Sequence, residues 1–123
     1  MDKKHSTEDL TTDAQVQRFN LLSPMFHAVS GEIKELSKKK QDEVLNKLKV
    51  EMINKILEQI KELLAGEPTA QFLELLDNDI LPTNSDAVLV LAKFQAAMAH
   101  FHNKYYRTDR STYSSRWFTV EKP

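Results

Sequence analysis

The chain has 123 residues, 41% hydrophobic and 28% charged, with a net charge of −1 and no cysteine. That is one domain's worth of protein with apolar side chains enough for its own core, and the missing cysteines exclude disulfide frameworks, thiolate nucleophiles and Cys-ligated metal. No apolar run approaches the ~20 residues a bilayer span needs, and the polar stretch 1–12 lacks the apolar region of a secretion signal, so a cytoplasmic protein with no membrane contact is expected.

The charge is uneven. Residues 67–86 hold five acids and no Lys or Arg, whereas residues 87–123 hold six bases against Asp109 and Glu121, so the carboxy-terminal end is electropositive.

Residues 1–11 read as a flexible amino-terminal segment. Thr12 followed three residues later by Gln15 is a capping-box pattern that starts a helix at Asp13, and Val16, Phe19 and Leu22 recur along one face. Ser23-Pro24 offers a new N-cap with proline at the first helical position, which predicts a break or kink. Phe26, Val29, Ile33 and Leu36 continue as a second stripe. The polar run 38–43 leaves two readings of 24–65 open: a turn near Ser37, or one long helix with a solvated stretch.

From Val44 onward Leu45, Leu48, Met52, Ile56, Ile60 and Leu63 line one side of a helix, widened by Val44, Ile53, Leu57 and Leu64. Gly66 and then Pro68 predict its stop through a left-handed glycine. Pro68 opens a short helix over Ala70–Leu76 that buries Phe72, Leu73, Leu75 and Leu76. After the Asp77–Pro82 turn, Asn84, Ser85 and Asp86 are all N-cap types. The next segment is the most apolar in the chain, so a central helix near 85–106, embraced on most sides, is expected. Alanines 92, 96 and 99 suggest close packing along one line. Residues 107–123 form a basic and aromatic arm, its end Trp117–Val120 alternating like a short strand.

Chemistry-bearing patterns are few. His100 and His102 sit about 200° apart on a helix and cannot share an ion. Asp77-Asn78-Asp79 opens like a calcium loop, but Leu81 and Pro82 stand where a ligand and a glycine are needed. With only two glycines there is no phosphate-cradling loop, and no nucleophile elbow or carboxylate pair is present. No catalytic residue, cofactor site or metal site is assigned.

One constellation stands out, namely Lys104, Arg107, Arg110, Tyr113, Arg116 and Trp117. Arginines can pair with phosphates while aromatic faces stack on bases, the way single strands are held; the plainer account folds the aromatics over the end of the bundle. Leu45, Leu48, Met52 and Ile56 form a second candidate surface, for core is the default for such a stripe, yet one this long and wide has surplus to bury against a second copy.

The expected fold is therefore all-α, a bundle of four to six helices over 12–106 with a short extended arm over 107–123. The expected function is a non-enzymatic protein-interaction or regulatory module, a subunit of a homo-oligomer or larger assembly. Nucleic-acid binding through the arm is the alternative.

Overall fold

The computed structural model describes residues 9–120. Three α-helices, one 3-10 helix and a two-stranded sheet follow in order: α1 Asp13–Lys39, α2 Lys47–Leu63, the 3-10 helix Pro68–Phe72, α3 Asn84–Tyr105, β1 Tyr106–Asp109 and β2 Ser114–Trp117. The mostly helical class is as expected, but the described residues hold three α-helices rather than four to six. Among them no helix is long and apolar enough to cross a membrane.

Helix α1 starts where its cap pattern places it, with the Thr12 hydroxyl accepting from the Gln15 amide at 3.1 Å. The Gln15 side chain accepts from the Thr11 hydroxyl at 2.6 Å and the Thr12 hydroxyl at 3.3 Å, rather than from the Thr12 amide that a capping box would use. Of the segment 1–11 expected to be flexible, residues 1–8 lie outside the described residues, and Thr11 is buried.

The predicted break at Ser23-Pro24 does not occur, and α1 runs through as one 27-residue helix. A helical proline withholds the N–H owed to the carbonyl four residues back. Here Pro24 and Asn20, whose carbonyl goes without, are both exposed, so the unpaired carbonyl stays open to solvent and the loss is small enough for the helix to continue. The polar run after Lys39 is a turn, which makes two helices of 24–65. That turn is stitched to the start of α3, with the Asn84 amide donating to Glu43, its side chain to Lys40 and the Leu45 amide to Pro82. Thr83, not Asn84, Ser85 or Asp86, caps α3, accepting from the Asp86 amide; Asn84 is buried by its link to Lys40.

Helix α1 is the element on which both others pack, while α2 and α3 have little direct contact. It runs antiparallel to each. Arg18 near its start reaches Glu62 near the end of α2 at 2.7 Å, and the Phe19 ring stacks on Phe101, near the end of α3, at 5.4 Å. The expectation that 85–106 is the enclosed central helix is corrected accordingly. Ala87, Leu91, Phe94, Ala97, Met98, Phe101 and Tyr105 of α3 are buried, but Leu89, Ala92, Ala96 and Ala99 face solvent. With one neighbouring helix, α3 has one dry face.

Helix α2 ends at Leu63, without a left-handed glycine, since neither glycine has positive φ. The helix predicted over 70–76 is only the 3-10 helix, and Phe72 is exposed. Leu73 and Leu76 are buried from an irregular segment instead. Asn54 of α2 holds that segment: its Nδ2 donates to the Leu76 carbonyl and its Oδ1 accepts from the Leu76 amide, both at 2.9 Å.

Candidate interaction surfaces

The wide apolar stripe of α2 is divided by its neighbours. Val50, Ile53, Leu57, Ile60 and Leu63 are buried against α1 and the 73–76 segment. Of the four residues proposed as a surface, Leu45 is 3% exposed and precedes the helix, as part of the core. Leu48 and Met52 are 66% and 58% exposed, and Ile56 is half-buried against the core. The surface is therefore Leu48, Met52 and the edge of Ile56, with Leu45 removed from it.

Sequence reasoning missed that α1 completes this surface. Leu21 and Met25, 61% and 48% exposed, and the half-buried Val29 run alongside. Two depressions meet at Met52. One, of about 490 Å³, is lined by Leu21, Leu22, Met25, Ile56 and the stems of Lys55 and Gln59; the other, of about 230 Å³, by Val29, Ile33, Leu48 and Ile53 with Glu32 and Lys49 at its rim. Together they form one groove between α1 and α2. The signal in the sequence was that Leu21 and Met25 fall outside the Phe19–Leu22–Phe26 stripe at helical spacing, apolar residues with no core position to fill.

The arm is a β-hairpin rather than a single extended strand. β1 and β2 pair antiparallel with Tyr106 opposite Trp117 and Arg107 opposite Arg116. Trp117 folds back on the helices, 5.5 Å from the Phe19 ring centroid, 5.3 Å from His102 and 5.4 Å from Tyr106. His102 is thus packed and His100 exposed, on different faces. Past Trp117, the Phe118 carbonyl accepts from the Thr11 amide and the Val120 amide donates to the Thr11 carbonyl, which sets Thr11 beside the hairpin.

Most of the proposed phosphate-binding cations are engaged within the protein. The guanidinium groups of Arg107 and Arg116 lie 4.0 and 4.1 Å from the Phe118 ring centroid, a stack that accommodates two like charges on facing strands. Arg107 also donates to the Asp9 carbonyl, and Arg116 to Asp109 at 2.9 Å. Hydrogen bonds from the Ser111 hydroxyl, from Arg116 and from the Ser111 amide pull the Asp109 carboxyl down to about 2. Lys104 meets Glu67 at 3.2 Å. Burial works against the Lys104 charge, but the Glu67 hydrogen bond and charge outweigh it and its pKa is raised. Tyr105 donates to the same carboxylate at 2.7 Å, and burial followed by that bond raises its pKa too.

Arg110 and Tyr113 remain at the hairpin tip. Arg110 is exposed and makes no hydrogen bond or ion pair with another described residue. Tyr113 is 86% exposed and has φ of 57°, the left-handed region that favours glycine.

Among the described residues no three His, Asp or Glu side chains gather as a metal site. Between α1 and α3 a cleft of about 240 Å³ is lined by Ser23, His27, Gln95 and His102. His102 lies beside Phe19, however, and His27 is two turns further along α1, about 12 Å on, so the two imidazoles do not converge. Comparison with protein-family models, curated proteins and solved structures finds no match.

Proposed function

We propose that the protein is a non-enzymatic helical interaction module, a subunit of a homo-oligomer or larger assembly, which docks its partner in the groove between α1 and α2. The observation that carries this reading is the row Leu21, Met25, Leu48 and Met52, four large apolar side chains exposed side by side along one groove. Scattered exposed leucines are ordinary on a soluble protein; a continuous apolar groove with charges only at its rim marks a place where another surface belongs. Methionines suit such a groove because their unbranched chains adapt to what lands on them.

A photo-crosslinking amino acid at position 48, with an equally exposed control at position 89 on α3, tests this in cells producing the protein. A discrete protein adduct from position 48, lost when Met25→Asp is added and missing from position 89, is expected. Equal labelling at both positions, or none at 48, defeats the reading.

A second reading is favoured by the hairpin tip, where Tyr113 stands almost fully exposed in spite of its strained backbone and Arg110 has no hydrogen-bond or ion-pair partner among the described residues. That pair suits a stacked base and its phosphate in single-stranded nucleic acid. Titration of labelled single strands with the protein and with Arg110→Ala/Tyr113→Ala decides it. One uncommitted cation predicts a log–log salt slope of only about one, and binding unaffected by the double substitution removes the idea.

A further inference from the structure

The exposed flank of α2 carries an ordered set of charges. At about 100° per residue, Leu48 and Ile56 lie either side of Met52, while Lys47, Glu51, Lys55, Glu58 and Glu62 line the flank opposite to Ile53, Leu57 and Ile60. Glu62, at the end of the helix, is tied to Arg18 of α1; the other four are exposed and form no ion pair with another described residue. Read from either end they alternate in sign, so reversing the helix exchanges plus for minus.

A second α2 laid antiparallel about a two-fold axis beside Met52 sets Lys47 opposite Glu58 of the other copy, Glu51 opposite Lys55, and Leu48 opposite Ile56. Each contact occurs twice, as isologous symmetry requires. A parallel arrangement about a two-fold axis carries this flank to the other side of the seam, so the charges of the two copies do not meet and none of these pairings forms. Flanking charges beside an apolar seam select helix orientation in this way. On the α1 side the same axis brings Met25 towards Val29 of the second copy, so the two α1–α2 hairpins close into a four-helix bundle. The net charge of −1 offers little long-range repulsion to pairing.

We infer that the occupant of the groove is a second copy of this chain, docked with its α2 antiparallel across a two-fold axis beside Met52. This rests on the groove being a docking surface, and names what it docks. Other occupants, such as a helix of an unrelated protein, are outcomes of the tests.

Sedimentation of the purified full chain at micromolar concentrations is expected to show a dimer, and Leu48→Asp/Met52→Asp a monomer with unchanged circular dichroism. Glu51→Lys and Lys55→Glu each create two like-charge contacts and weaken dimerisation roughly tenfold at low salt, whereas the double exchange restores it. The chain has no cysteine, so single-thiol variants report geometry directly, a disulfide needing Cα atoms within about 7 Å. Oxidised Met52→Cys crosslinks to itself, Leu48→Cys does not, and Leu48→Cys mixed with Ile56→Cys gives the heterodimer. Efficient self-crosslinking of Leu48→Cys would mean a parallel pair and overturn the inference. A purified chain that stays monomeric, with discrete crosslinks from position 48 to another protein in cells, overturns self-pairing and leaves the docking reading intact. A dimer that survives Leu48→Asp/Met52→Asp pairs through another surface and likewise overturns the inference.

Discussion

Replacing Asn54 with leucine keeps the side chain's branching and heavy-atom count while removing both polar atoms, and so isolates a single device of the fold. Asn54 and Leu76 are both buried, and the amide side chain meets both backbone groups of Leu76 at 2.9 Å. Leucine meets neither. Two buried backbone groups then lose their partners, at about 1–3 kcal/mol each, with part returned by the apolar surface that leucine buries. The expected net loss is about 2–4 kcal/mol, a large share of the 5–15 kcal/mol typical of a domain. Urea unfolding followed by circular dichroism measures it as a lower midpoint at unchanged slope, and hydrogen exchange at the Leu76 amide should accelerate more than in α1. Asn54→Asp supplies an internal check. Its carboxylate still accepts from the Leu76 amide but repels the Leu76 carbonyl, so protonation is favoured in the folded state and the folded pKa rises. The folded state then binds more protons than the unfolded one, and the variant must lose stability as pH rises from 4 to 7. An Asn54→Leu protein within about 0.5 kcal/mol of the parent, inside the range of ordinary surface substitutions, would refute the view that this clamp holds residues 73–76.

Tyr113→Gly removes a left-handed strain without removing a contact, so it should stabilise the protein by about 1 kcal/mol and raise Tm by a few degrees in calorimetry. Asp109 has a folded pKa of about 2 against an ordinary 3.8; the unfolded state binds the extra proton, so its contribution is complete above pH 4 and fades as pH falls towards 2. Asp109→Asn should flatten that part of the stability–pH curve, read from Trp117 fluorescence during unfolding. Glu67→Ala leaves the Tyr105 hydroxyl without its acceptor while Lys104 turns to solvent, and should cost about 1–3 kcal/mol in urea titrations; Glu67→Gln, which keeps an acceptor, should cost less.

How far the sequence reveals this fold depends on whether a local signal or a neighbour decides each feature. The Thr12 cap and the presence of helix over most of 13–39, 47–63 and 84–105 follow from side chains within a few residues of one another, although the same local signals also predict a break or kink at Pro24 and a further helix over 70–76. Continuity through Pro24 does not, because it depends on whether Asn20 faces water. The apolar arc of α2 is wider than any one core requires, so periodicity alone centres it near Met52, whereas α1 and Asn54-bound Leu76 turn it towards Val50, Ile53 and Leu57. The same reason exposes Ala92, Ala96 and Ala99 of α3. In the arm, the composition marked Arg107 and Arg116 as phosphate ligands. Only the strand register, which sets them opposite one another with Phe118 two residues beyond Arg116, reveals that both lie against the protein's own ring.

The mismatch on α2 is itself the argument for a partner. A helix whose only task was to close this core would need the Val50–Ile53–Leu57–Ile60 face and nothing apolar beyond it, and polar residues at 48 and 52 would cost the monomer nothing. Both are large hydrophobes, and α1 matches them with Leu21 and Met25 where its own core stripe has already been supplied by Phe19, Leu22 and Phe26. Exposed apolar rows carry a standing aggregation cost. Two helices bearing that cost on facing edges, beside a flank whose charges complement their own reversal, are what the proposed interface would account for.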